Sequence, residues 1–331
     1  MPAISAEQII NAIEYAFAEA GASAILISKS REHPRQFNVT SGGSTFPVWV
    51  YIWTLTHGGG AARHPDEYRI QLTSVTPPLP QNPDGPTLLL GYEPNSKCFA
   101  GFDLKKHRTF STQSPSIQIN INTLHEALRD GFAFSRKGND EIAIGFRPDN
   151  MLAYCLNSES LHASGVDIKT STLLTKVGRL EPVNKAELEE IPETRRRVVL
   201  TVSRLVRESD FRKKVTVAYE GRCCVTGLQL RLVDAAHILP VGAEGSIDQV
   251  KNGLCLSPTY HRAYDRGLIF LADDRKMKIN KPKIAELVKL GLDGGLSDFK
   301  ATLGKQIFLP ADRQQWPDLA IIRKANKFRD L

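Results

Sequence analysis

The stretch Asp234-Ala-Ala-His237-Ile-Leu-Pro240, followed by Asn252-Gly-Leu-Cys-Leu-Ser-Pro-Thr-Tyr-His261-Arg-Ala-Tyr-Asp265-Arg-Gly267, constrains this chain more than any other. It offers a His, an Asn and a second His in that order, within one supersecondary unit. Apolar Ile238 and Leu239 beside His237 predict a short strand, and Gly242 to Gly245 a loop. Asn252 to Leu256 alternates into a second strand. From Pro258 the pattern turns helical, with His261 and Asp265 one turn apart on one face. Two strands and a helix then aim four polar side chains at one point. That arrangement suits one-metal phosphodiester hydrolysis: a neutral imidazole takes a proton from water while a divalent cation stabilises the charged phosphorane.

Each residue taken singly has a plainer reading. A lone His is more often structural, Asn-Gly is a common turn pair, and His261 with Asp265 is an ordinary intrahelical polar pair. Taken together, in order and with their flanking residues, they resemble the HNH (ββα-metal) nuclease family, in the branch whose first motif reads Ala-Ala-His-Ile. The resemblance covers roughly Phe211 to Leu271, and more loosely the tail. It implies His237 as general base, Asn252 as the residue that orients it or braces the loop, and His261 as a metal ligand. Asp265 stands where some members carry another ligand His, which implies a second ligand. The implied cofactor is a divalent ion, Mg²⁺ or Mn²⁺. One departure stands out: Ala236 occupies the position before the base, where many members carry a ligand. Asp234 shares that strand face by alternation, which leaves open whether it replaces the missing ligand.

Length and composition fit that reading. The chain has 331 residues, which suggests about two domains. No apolar run approaches the roughly 20 residues of a membrane span, and Met-Pro-Ala-Ile-Ser shows no secretory signal. Five cysteines, two of them adjacent at 223 and 224, make neither a disulfide framework nor a Cys-x-x-Cys zinc ribbon, so a reducing cytoplasm is expected. Cys223, Cys224 and Cys255 read as small core residues. The net charge of +7 favours a polyanionic partner, though many basic proteins bind none.

Before this segment the chain reads as strands with few helices. Ser5-Ala-Glu-Gln8 is a capping-box start. Phe46 to Leu55 is the strongest strand; Trp49, Tyr51 and Trp53 share one face, read as a doubly buried strand or as an aromatic wall for a base. The glycine run after His57 is a mobile loop or a phosphate contact. Lys105, Lys106, His107 and Arg108 form a basic cluster. Asp84, Asp103 and Lys105 mimic a second nuclease pattern, PD-(D/E)xK, a short and degenerate match. Ser171 to Pro192 reads as a linker with some helix. Glu193 to Arg207 reads as a basic amphipathic helix, and Asp210 as the cap of another, Phe211 to Tyr219.

The expected fold class is α+β: a mixed α/β or curled β-sheet recognition domain, then a ββα-metal nuclease domain. The expected boundaries are 1–165 for DNA recognition or sensing, 166–192 for the linker and 193–331 for the nuclease. The expected function is a metal-dependent DNA endonuclease of restriction or phage-defence type, with target choice, modified DNA included, set by the N-terminal domain. Double-stranded DNA is the expected partner, with Arg204, Arg207, Lys213 and Lys214 on its phosphates. A double-strand cut needs two active sites or two passes, which leaves a homodimer open. Two rival readings are a nuclease gated by a small-molecule signal and a DNA-binding module with a decayed nuclease.

Overall fold

A computed structural model describes residues 4–57, 64–111, 115–138 and 140–331. The chain divides into two compact units, Met1–Ser209 and Asp210–Leu331. The fold is mixed α and β, with a sheet-rich first unit and a second unit carrying the ββα element.

Among the described residues the first unit contains ten strands. They are β1 (Ser23–Leu26), β2 (Arg35–Ser41), β3 (Ser44–Thr54), β4 (Thr56–His57), β5 (Glu67–Gln71), β6 (Thr87–Glu93), β7 (Cys98–Phe102), β8 (Ser116–Asn120), β9 (Phe132–Arg136) and β10 (Ile142–Phe146). Seven of them form a sheet in the order β1-β2-β3-β6-β7-β10-β9. Only β3 with β6 is parallel. The rest form a small sheet, β4-β5-β8.

The period-2 pattern of β3 and β6 explains how two cores share one sheet. Val48, Val50, Ile52, Leu88 and Leu90 face a core completed by helices, including Ile13, Phe17, Tyr154, Leu174 and Val199. Tyr51 and Leu89 point the other way, into a core closed by Ile70 of β5 and Ile117 and Ile119 of β8. On the aromatic face of β3, Tyr51 is buried while Trp49 and Trp53 are half-buried, so that face is covered in part. The Tyr51 hydroxyl donates to Pro80 O at 2.9 Å, and the His33 ring stacks on Trp53 at 4.3 Å. Continuous apolar runs of this kind belong to strands covered on both faces.

The capping box at Ser5 forms as expected, starting the helix Ala6–Glu19. Residues 166–192 carry two helices, Ile168–Gly178 and Lys185–Glu189. Leu173, Leu174, Val177 and Ile191 are buried with the first unit's core, so packing there outweighs a polar, linker-like composition. The two helices expected on either side of Asp210 form one, Glu193–Ala218. Asp210 pairs with Lys214 one turn on instead of capping. The glycine run beginning at residue 58 lies outside the described residues. Among the described residues no helix is long and apolar enough to cross a membrane.

Candidate active site

In the second unit, β11 (Asp234–His237) pairs antiparallel with β12 (Gly253–Leu256), with Asp234 opposite Leu256 and His237 opposite Gly253. The helix Pro258–Asp265 follows directly, with Pro258 at its first turn, where a missing N–H costs nothing. The strand alternation and helical turn read from sequence are thus the geometry observed. A small core beneath holds Cys223, Cys224, Cys255, Ile238, Leu254 and Tyr264, all buried. Gly253 is needed there for space: a Cβ would meet Val215 Cγ2 at 2.4 Å. The Ile238 carbonyl accepts from both the Tyr264 hydroxyl (3.3 Å) and Arg329 Nη1 (2.8 Å), fixing the backbone beside His237.

His237 is held on two sides. Its Nε2 lies 3.0 Å from Asp248 Oδ1, and its ring stacks on Phe211 with centroids 3.7 Å apart. Neither partner was singled out in the sequence. Asp248 sits in the loop between the strands, where no periodicity marks an acid. Phe211 stands out in the sequence only as the start of a helix.

Asn252 is fully buried. Its Oδ1 accepts from Leu239 N at 2.8 Å; its Nδ2 donates to Ile247 O (3.0 Å), Leu239 O (3.2 Å) and Ser246 Oγ (3.3 Å). Every polar atom of the amide is spent on the loop that carries Asp248.

His261 stands between two carboxylates. Its Nδ1 is 3.6 Å from Asp234 Oδ2, and its Nε2 is 3.3 Å from Asp265 Oδ2. The first distance is a charge contact rather than a hydrogen bond. Asp234 Oδ1 accepts from Arg212 Nη2 at 3.1 Å. The Asp234 carboxylate holds the His261 pKa above its ordinary value; His261 and then Arg212 hold that of Asp234 below its own.

Because the two carboxylates face different ring nitrogens, they do not converge with the imidazole as three donors. Among the described residues no group of three His, Cys, Asp or Glu is placed to hold a metal. Two-donor seats do exist, at His261 Nε2 with Asp265 and at His261 Nδ1 with Asp234. Mg²⁺ often takes only one or two protein donors and keeps waters and substrate phosphate for the rest, and Mn²⁺ accepts imidazole as well. The donor set therefore fits a divalent ion bound partly by its substrate.

The four expected phosphate contacts are exposed along one helix, Arg204 and Arg207 in the first unit and Lys213 and Lys214 in the second. Arg204 pairs with Glu208 at 3.8 Å and Lys214 with Asp210 at 2.6 Å, which offsets part of their charge. The PD-(D/E)xK pattern does not assemble as a site. Asp103 caps the Lys105 amide at 2.9 Å, the Lys105 ammonium turns to Glu159 at 2.7 Å, and Asp84 is exposed.

Residues 223–272 match the family model described as HNH endonuclease, and residues 46–155 match that described as Methylase-associated X1. No curated protein matches the chain. Among solved structures, a modification-dependent TagI restriction endonuclease matches at 14% identity with a TM-score of 0.29, over 84% of this chain and 80% of that one.

Proposed function

We propose, from the premise that an HNH endonuclease domain occupies residues 223–272 and makes this chain a nuclease, that it is a metal-dependent DNA endonuclease of restriction type. One observation supports this reading: His237, Asn252 and His261 lie on one ββα element, with every polar atom of the Asn252 amide spent on the loop between its strands. His237 gives its Nε2 proton to Asp248, which leaves Nδ1 with the lone pair a general base needs. Phe211 and Asp248 together hold the ring in that pose. Asn252 acts at one remove, by fixing the loop that presents Asp248. HNH endonucleases generally use divalent ions; here His261 and Asp265 would hold one, and bound there it would neutralise charge developing on the phosphate. Asp234, between Arg212 and His261, orients the imidazole from its other nitrogen, as outer carboxylates do for ligand histidines.

The first unit supplies target choice in this reading. A ββα element contacts mostly backbone, which positions without specifying, so discrimination falls to other surface. The description of the family matching residues 46–155, methylase-associated, supports a substrate whose methylation state matters. A cleavage panel tests both halves: unmodified, methylated and hydroxymethylated duplexes, each with Mg²⁺ and with Mn²⁺. Metal-dependent cleavage that differs between duplexes is expected. No cleavage of any duplex with either ion would overturn the nuclease assignment; equal cleavage of all would overturn target choice by modification.

A further inference from the structure

The first unit contains a cavity of about 390 Å³ that the nuclease chemistry does not use. That volume falls in the usual range for small-molecule sites. Its walls come from the loop at 81–87, the end of β7 with the turn after it, and the helix Met151–Gly165. Phe102, Leu104 and Leu156 give it apolar sides. Its floor is a buried pair, Tyr154 and His162, with the tyrosine hydroxyl 3.0 Å from His162 Nε2 and His162 Nδ1 3.2 Å from Ile142 O. Those bonds assign the neutral imidazole, its Nδ1–H given to the carbonyl and its Nε2 accepting from the hydroxyl. Burial also keeps His162 uncharged, with its pKa lowered to about 4.

The charged groups lining the cavity decide what it takes. Two carboxylates, Asp103 and Glu159, face one ammonium, Lys105, which is already paired with Glu159 at 2.7 Å. The unspent charge is therefore the carboxylate of Asp103. One of its oxygens accepts from the Lys105 amide, and the other remains for a ligand. Such a lining repels phosphate and attracts hydrogen-bond donors. A carboxylate accepting from an exocyclic ring amine is a standard way to read cytosine. Gln81, which has no side-chain partner among the described residues, adds an amide at the rim.

We propose that this cavity binds an uncharged, amine-bearing heterocycle of the nucleobase class. The ring arrives either as a free nucleoside or as a base turned out of DNA. The inference concerns binding alone, so it stands or falls separately from the cleavage reading.

Calorimetric titration of the full chain with 2′-deoxycytidine, 2′-deoxyadenosine and thymidine tests it. The amine-bearing nucleosides should bind about tenfold or more tightly than thymidine, which lacks the amine. Asp103→Asn keeps the helix cap, since Asn caps as well as Asp, and should weaken those nucleosides about fivefold. Gln81→Ala, a rim change with no structural bond to lose, is the second variant and should weaken them too. If free nucleosides give no heat, duplexes with one bulged cytosine or one bulged thymine replace them. Selective weakening of the cytosine duplex by Asp103→Asn then assigns a base taken from DNA. Thymidine binding as tightly as the amine-bearing nucleosides, or both variants leaving nucleoside and duplex affinities unchanged, would overturn the proposal.

Discussion

His237 has its ring plane fixed by Phe211 and its rotation fixed by Asp248. Its removal should cost the proton acceptor and little else. His237→Ala is expected to lose about 10²–10⁴-fold in single-turnover cleavage while keeping its affinity for DNA. Asp248→Asn should fall less far, because it frees the ring to turn without removing it. Asn252→Ala is a different kind of change. It strands Leu239 N–H and the Leu239 and Ile247 carbonyls in a buried place, and each such group costs about 1–3 kcal/mol. A lowered unfolding midpoint should therefore accompany its loss of cleavage; an unchanged midpoint would contradict the bracing role. His237, Asn252 and His261 are legible in the sequence because period-2 alternation and one helical turn are local geometry. Asp248 and Phe211 are not, because each reaches the imidazole only once the chain has folded. Ala236 is legible as a gap, and Asp234 occupies the strand face it leaves, but beside His261 Nδ1 rather than with Asp265.

At the scale of elements, the continuous apolar run from Phe46 to Leu55 announced a strand, though not how far its aromatic face is covered, and the ββα order was plain. The single helix Glu193–Ala218 was not, because Asp210 is a good capping residue and nothing local shows that Val206 and Phe211 are both buried. The meeting of β7 with the helix Met151–Gly165 was equally invisible. There Gly101 admits the Tyr154 ring: a Cβ would lie 2.1 Å from the tyrosine oxygen. Gly101→Ala should therefore destabilise the first unit by at least about 1–3 kcal/mol, the usual cost of overpacking. Gly138 meets nothing within 4 Å, so Gly138→Ala should stay within about 0.5 kcal/mol. Denaturant titration of both variants checks the contrast; equal effects would mean that the β7 face yields more easily than its packing implies.

For the whole molecule, the first unit's stability should depend on acid. Burial lowers His162 to about 4, and burial with Arg35 nearby lowers His33 to about 3. In the unfolded chain both titrate near ~6.5. Between those values unfolding takes up protons, so stability is full above about pH 7 and falls as pH drops toward 4. Asp130 carries the loss lower still. Arg129 and Arg179 hold its carboxyl far below the usual range, and that contribution fades once the pH drops below about 4. Thermal melts of the full chain across this range check the slope; a level midpoint would contradict it. A slower chemistry is also written into the site. Asn followed by Gly is the pair most prone to deamidation, in which the next backbone nitrogen attacks the side-chain carbonyl. In the folded protein the Asn252 amide is tied at every polar atom and Gly253 is pressed into a strand, so the attack geometry is out of reach. Each unfolding episode removes that shelter. A carboxylate formed at position 252 would then face the carbonyls of Leu239 and Ile247 with no proton to give. Repeated heating should therefore inactivate the protein irreversibly, with a mass gain that peptide mapping places at Asn252. The fold keeps its own clock stopped, and only for as long as it stays folded.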